Sequence, residues 1–310
     1  MRVLVTGAGG LAGRAMVCHL LGPEGDREVI AVYRKNLPAP SDRFNPVKLD
    51  LLDREKTLAR VREAGPAIIL HLAGVNHGTL EDLLAGNVIA TRNLLEAACA
   101  LRDPVRVLAT GSSAEYGYAG PGPIPESAPL SPVTPYAVSK VAADLLARSY
   151  AVTRELPVAV VRPFNLIGPG QADAYVCGRI VRQVAEIEGG RREEISLADL
   201  TSRRDFIDVR DLASACWSLA GLPDFGDRCA GKAFNTGSGK DHSVAEVIEL
   251  VRKVTGKRYP VVLPEEGRAI PVPVQRSDNS LITATCGWKP AIPLIQSLRD
   301  MLAYERGRIR

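Results

Sequence analysis

Six short runs rich in β-branched residues, RVLVTG, EVIAVY, PVKLD, AIILHLAG, VRVLATGSS and PVAVVRPFN, punctuate the first half of the chain. Between them, apolar residues recur at helical spacing: Leu84, Val88, Leu95 and Cys99 in one interval, Val141, Leu145 and Tyr150 in the next. Strands that are apolar throughout are covered on both faces, and alternation with helices makes their sheet parallel. The expected class is therefore α/β, a doubly wound parallel sheet. After Pro163 the pattern changes to the Gly- and Pro-rich PFNLIGPGQADAY, a helix through CGRIVRQVAEIEGG, the charged TSRRDFIDVRD, two more helices and LPEEGRAIPVPVQRSD. Residues 1–165 are assigned to the sheet domain, with 206–235 returning to it. Residues 166–205 and 236–310 are assigned to a smaller C-terminal lobe that binds substrate.

Composition narrows the class. The 310 residues carry 39 basic and 35 acidic side chains, a net charge of +4 without a basic stripe, which argues against nucleic acid as a partner. Cysteines at 18, 99, 177, 216, 229 and 286 form no CxxC and have no clustered histidines, so reduced thiols and no metal site are expected. A strand follows Met1–Arg2 at once, without the n- and h-regions of a signal peptide. The run AIILHLAGV is far too short to span a bilayer. A cytoplasmic protein with no membrane association is expected.

VTGAGGLAGRA places Gly7, Gly10 and Gly13 between the first strand and the first helix. Glycines there allow a tight turn and let the backbone approach a pyrophosphate, which rests on the unsatisfied N–H groups of the helix start. This context makes the sheet a Rossmann-type, dinucleotide-binding one. The second strand ends in Tyr33, Arg34 and Lys35 rather than in the carboxylate that suits a ribose 2′-hydroxyl. Cations there suit a 2′-phosphate, so NADP(H) is expected in preference to NAD(H). Asp50, after the third strand, either accepts from an adenine amino group or caps the next helix.

TPYAVSKVAADLLARSY holds Tyr136 and Lys140 one helical turn apart, on the same side. Upstream, Ser112 and Ser113 close the fifth strand at its C-terminal end, where open α/β sheets bind ligands. A phenol ordinarily titrates near pH 10, and a nearby lysine together with an oxidised nicotinamide would lower that value. Glycine fingerprint, serine pair, Tyr and Lys in this order resemble the extended short-chain dehydrogenase/reductase family, as do HLAG after the fourth strand and Asn87 on the next helix. The resemblance implies catalysis by Ser112, Tyr136 and Lys140, with the Tyr as proton donor, the Ser as hydrogen-bond donor and the Lys also on the nicotinamide ribose. It further implies cofactor contacts at Leu11, Leu51, Leu72, Ala73, Gly74 and Pro163, and a homodimer built on the helices around 84–100 and 136–153.

Extended members of that family mostly act on nucleotide-diphosphate sugars. The resemblance implies substrate contacts at Ser113, Asn165 and Arg179, with Arg204 and Arg268 on the diphosphate. RPFNLIGPGQ, RRDFIDVRDLA and GWKPAIPLIQSLRDML look most like the family's GDP-4-keto-6-deoxy-D-mannose reductases. Where related dehydratases carry an acid pair this chain has Ser113 and Ala114; Glu115 is one residue further on and, by strand alternation, is expected to face the other way. Relatives carry Pro-x-Asp after the second Arg, whereas here Ala269, Ile270 and Pro271 follow, which leaves the exact sugar open. The expected function is NADPH-dependent reduction of a 4-keto nucleotide sugar. The alternatives are a 4-epimerase with retained NAD and a non-catalytic dinucleotide sensor.

Overall fold

A computed structural model describes residues 1–22, 27–35, 44–263 and 272–309. From the N-terminus the chain runs through β1 (Arg2–Thr6), α1 (Leu11–Leu20), β2 (Glu28–Tyr33), β3 (Phe44–Lys48), α2 (Arg54–Ala64) and β4 (Ile68–His71). α3 (Leu80–Leu84) continues through a π-helical turn at Ala85–Ile89 into α4 (Ala90–Cys99). β5 (Arg106–Thr110), a 3-10 turn at Ser113–Tyr116, α5 (Pro135–Thr153), β6 (Val158–Pro163) and β7 (Asn165–Ile167) follow. Next come α6 (Val176–Glu188), β8 (Ile195–Ser196), β9 (Arg203–Asp208), α7 (Val209–Ala220), α8 (Phe225–Cys229) and β10 (Ala233–Thr236). The chain ends with β11 (Asp241–Ser243), α9 (Val244–Thr255), β12 (Val261–Val262), β13 (Val274–Gln275), α10 (Ser280–Cys286) and α11 (Leu294–Ile309).

The central sheet is parallel throughout, in the order β10-β6-β5-β4-β1-β2-β3. Successive side chains of β1 point to opposite faces: Val3 and Val5 pack with Met16, Leu20, Leu212 and Cys216 of α1 and α7, while Leu4 packs with Val61, Leu94 and Ala147 of α2, α4 and α5. Both faces are thus covered by helices, the reason the strands read as unbroken apolar runs. The six sequence runs supply six of the strands. The seventh, β10, comes from residues 233–236 and joins the edge beside β6.

A smaller sheet, β11-β9-β13 with β7 also on β9, and the pair β12-β8 lie beyond. Ile180, Val184, Val247, Val251, Leu298 and Met301 of α6, α9 and α11 form their core. Thus Arg203–Asp208 belongs to the small sheet, whereas α7 behind it packs on α1 of the large one. Local chemistry sets the helix bounds. Asp53 caps α2 by accepting from Lys56 N, Gly65 ends that helix at φ 51°, and Thr134 caps α5 ahead of Pro135. All six cysteines are free thiols.

Candidate active site

Gly7 turns the chain out of β1 at φ 70°, with so little room that a Cβ there would stand 2.7 Å from the Ala73 nitrogen. Gly10 caps α1 without a side-chain hydrogen bond, Leu11 opens the helix, and its first turn holds no acidic residue. The N–H groups of that turn are therefore suited to an anion. Ala8 N donates to Val32 O at 3.0 Å, which sets the exposed Arg34 and Lys35 of the next bend beside the glycine turn. Asp50 is exposed and accepts from Leu52 N at 3.1 Å; the cap of α2 is Asp53, so Asp50 is not that cap. Leu51 is buried, and its carbonyl accepts from Asn93 Nδ2 at 2.8 Å. Sequence reasoning missed Arg14, whose Nη1 donates to Gly9 O at 2.9 Å and whose Nη2 would stand 3.1 Å from a Cβ on Gly170.

The loop after β4 carries Leu72, Ala73 and Gly74 and is pinned from two sides. Thr6 Oγ1 accepts from Ala73 N at 3.2 Å and pairs with His71 Nδ1 at 2.7 Å, while His71 Nε2 pairs with Thr91 Oγ1 at 2.9 Å. Burial, with Lys140 adding a smaller repulsion, pulls the His71 imidazole down to about 3, so it is neutral at physiological pH. Asn87, set in the π-helical turn, accepts from Val75 N at 2.7 Å and donates to Val75 O and to Ser139 Oγ at 2.8 Å each. One amide thereby ties the loop to α5.

Tyr136 and Lys140 lie one turn apart in the first two turns of α5, as the spacing predicts. Burial pushes the Tyr136 phenol above its ordinary value; hydrogen bonding to the Ser112 side chain opposes the rise, and the nearby Tyr175 and Glu115 add to it. Lys140 is not among the groups that set this direction. The lysine is buried, its Nζ donates to Thr110 O, and the acidic residues facing it are Glu115 and Asp144.

Glu115 also departs from expectation. β5 ends at Thr110, and the 3-10 turn that follows cancels strand alternation. Ser112 caps this turn: its Oγ accepts from Ala114 N at 3.2 Å, and Ser112 N donates to Glu115 Oε1 at 2.7 Å. The carboxyl is enclosed against Arg162, with Oε2 3.0 Å from Nε, while Asp144 Oδ2 lies 2.9 Å from the same nitrogen. Arg162 Nη1 donates to Tyr116 Oη at 2.9 Å, and Tyr116 Oη donates to Asn235 Oδ1 at 2.8 Å. A buried charged network thus underlies the serine, tyrosine and lysine.

On the other side, Pro163 is buried at the end of β6, and Asn165 Nδ2 donates to Asp205 O at 3.3 Å. Arg204 is half-buried, its Nη1 donating to Arg203 O at 2.8 Å, and it forms no ion pair with a described residue. Burial lowers its pKa, with only Asp199 opposing. Arg179 Nε donates to Asp173 O at 3.1 Å, and the residue lines a crevice of about 320 Å³ with Arg182, Gln183 and Arg192. Arg268 and the following Ala269, Ile270 and Pro271 lie outside the described residues.

Three residues that sequence reasoning did not single out, Gln275, Asp205 and Tyr175, organise this side. Ser113 is buried, and its hydroxyl donates to Gln275 Oε1 at 3.3 Å; Gln275 Nε2 donates to Ser113 O and Gly117 O at 3.0 Å each. Asp205 accepts from Ser238 N, Ser238 Oγ, Gly239 N, Ser277 N and Ser277 Oγ at 2.6–3.0 Å. Tyr175, ahead of α6, accepts from Asn76 Nδ2 and so reaches from the small-sheet side to the loop after β4. No helix among the described residues is long and apolar enough to cross a membrane.

The model of the NAD dependent epimerase/dehydratase family matches residues 3–237. GDP-6-deoxy-D-mannose reductase of Pseudomonas aeruginosa is 31% identical over 318 residues, covering 100% of this chain and 98% of that one. A UDP-glucose 4-epimerase of Mycolicibacterium smegmatis is 29% identical, covering 99% of each chain. Among solved structures, RMD from Pseudomonas aeruginosa complexed with NADPH superposes with a TM-score of 0.86 at 30% identity, covering 99% of both chains.

Proposed function

We propose, for a chain that belongs to the NAD dependent epimerase/dehydratase family, NADPH-dependent reduction of the 4-keto group of a nucleotide-diphosphate 6-deoxy-4-keto sugar, GDP-4-keto-6-deoxy-D-mannose. The coarser statement, an enzyme that modifies nucleotide sugars with a nicotinamide dinucleotide, rests on the relatives. One observation carries the finer reading. Ser112 hydrogen-bonds the Tyr136 phenol, while Ser113 and Ala114 stand where a dehydratase needs acids. Tyr136 is thus the proton donor offered to the carbonyl, with no second acid at the dehydratase positions.

The residues fit a dinucleotide, because Gly7, Gly10 and Gly13 leave the uncapped start of α1 bare for a pyrophosphate. Leu11, Asp50, Leu51, Leu72, Ala73, Gly74 and Pro163 would line the rest of the cofactor site, and Arg34 and Lys35 would hold a 2′-phosphate. Bound nicotinamide supplies the hydride for C4. Tyr136 gives its proton to the C4 oxygen, Ser112 hydrogen-bonds that same oxygen, and solvent reprotonates the phenolate. Lys140 would hold the ribose hydroxyls. Arg204, half-buried and without an ion pair to a described residue, and Arg268 would bind the diphosphate. Asn165 and Arg179 would contact the substrate directly, and Ser113 through the loop that Gln275 holds.

NADPH oxidation tests the reading, with GDP-4-keto-6-deoxymannose made in situ by a dehydratase and its dTDP counterpart for comparison. Consumption with the GDP sugar supports it; consumption with the dTDP sugar alone keeps the chemistry and changes the nucleotide. The similarity to UDP-glucose 4-epimerases favours one second reading, a 4-epimerase. NAD released on denaturation, with no reductant consumed, would establish that one. We further propose a homodimer through α4 and α5, whose Val138, Leu145 and Val152, with Ile89 of the π-helical turn, are apolar and exposed. A monomer in sedimentation equilibrium would refute it.

A further inference from the structure

Two carboxyl groups compete for one N–H. The Nε of Arg162 makes its hydrogen bond to Asp144 Oδ2, and Glu115 Oε2, wholly buried 3.0 Å from the same nitrogen, has no hydrogen-bond partner among the described residues. The other oxygen is fixed: Oε1 accepts from Ser112 N at 2.7 Å and would stand 2.6 Å from a Cβ on Gly111. A buried carboxylate is costly unless donors reach both oxygens, and a proton on Oε2 removes both the charge and the need for a donor at that oxygen. The groups facing Glu115 are Lys140 and Asp144 from α5, Arg162 from β6, and the phenols of Tyr116 and Tyr136; Arg148 lies beyond, 3.1 Å from Asp144 Oδ1. Burial first and Asp144 second push the Glu115 carboxyl up to about 8, against Arg162 and Lys140.

We propose that Glu115 is a positioning residue that works as the neutral acid, holding the Ser112 peptide in place and sparing Lys140 a second carboxylate beneath α5. The role rests on the reductase reading of Ser112, Tyr136 and Lys140. Ionisation of Glu115 has two consequences, both opposed to catalysis. The new anion draws the Lys140 ammonium inward, and it raises the proton affinity of Tyr136, making the phenol a weaker acid toward the carbonyl.

The test compares kcat against pH for the parent and for Glu115→Gln, which keeps an acceptor for Ser112 N but cannot ionise. The ratio of variant to parent kcat is expected to rise about tenfold from neutral pH to one unit above the Glu115 titration. A ratio constant across that range overturns the proposal. A second readout needs no substrate: infrared spectra of ¹³C-glutamate-labelled protein, in which a protonated-carboxyl band is expected at neutral pH and lost in alkali. Glu126 is the other glutamate that burial pushes up, so the band is read in Glu126→Gln, and the assignment survives even if Glu115→Gln does not fold. No band at neutral pH with turnover intact overturns the proposal alone. A parent that turns over no 4-keto sugar overturns the reductase reading, and the role of Glu115 with it.

Discussion

Gly13 lies beneath Gly7 so closely that a Cβ on Gly13 would stand 2.1 Å from the Gly7 carbonyl oxygen. The third glycine of the fingerprint therefore serves packing, since it lets α1 start directly under the turn. Gly13→Ala should push the helix and the turn apart at a cost of about 1–3 kcal/mol. Thermal unfolding and NADPH fluorescence titration together check this: lower Tm and weakened NADPH binding are expected, and unchanged values in both would contradict it.

Tyr136→Phe keeps the ring and removes the proton. We expect kcat to fall about 10²–10⁴-fold while NADPH still binds. Ser112→Ala should lower kcat about 10²–10³-fold, as loss of an oxygen-stabilising donor does. Steady-state kinetics decides, and a Tyr136→Phe enzyme that turns over near the parent rate removes the assigned mechanism.

Arg34 and Lys35 are exposed at the bend beside the glycine turn. Replacing both by Ala should weaken NADPH binding about 10–100-fold, the loss expected for hydrogen bonds to charged groups, and leave NADH binding as it was. Isothermal titration with both cofactors is the measurement. A parent that binds NADH as tightly as NADPH would falsify the preference.

Arg204 makes no ion pair with a described residue, so Arg204→Ala strands no carboxylate partner of that kind. The Tm is expected to stay within a few degrees, and KM for the nucleotide sugar to rise about 10–100-fold. Arg204→Lys should recover part of the loss, because it keeps the charge without the planar fork. A large fall in Tm with KM unchanged would make the arginine structural.

His71 titrates at about 3 in the folded protein against 6.5 for a free imidazole. The unfolded chain takes up this proton first as pH falls. Stability from His71 is therefore complete above pH 6.5 and declines below it, by about 1.4 kcal/mol per pH unit, until the folded state also protonates near pH 3. Urea midpoints at pH 7, 5.5 and 4.5 should show the fall in the parent and a shallower one in His71→Gln. Equal slopes would place the acid sensitivity elsewhere.

What could be read in the sequence was local. The glycine turn, the alternation of strands and helices and the Tyr136–Lys140 turn depend on neighbours within a few residues, and all are found where the pattern puts them. Glu115 was misread because alternation was carried past the end of β5, yet Ser112-x-x-Glu115 is a capping-box spacing that announces the turn. Gln275 and Asp205 could not be read at all. Their partners lie 162 and 72 residues away in sequence, and such pairings come from the tertiary path rather than from periodicity. The burial of Lys140 was hidden for the same reason, since the Thr110 carbonyl meets it only once β5 and α5 pack.

The Gln275 bonds to Ser113 and Gly117 bear on how a chain like this could be re-engineered. The strand that carries Gln275 comes from the far end of the sequence, yet it is buttoned to the loop that holds the proposed catalytic serine. Grafting residues 272–277 from a relative with an apolar side chain there would strand two buried carbonyls, at about 1–3 kcal/mol each. A chimera meant to accept a different sugar must therefore exchange the Ser113 loop and the Gln275 strand as a matched set.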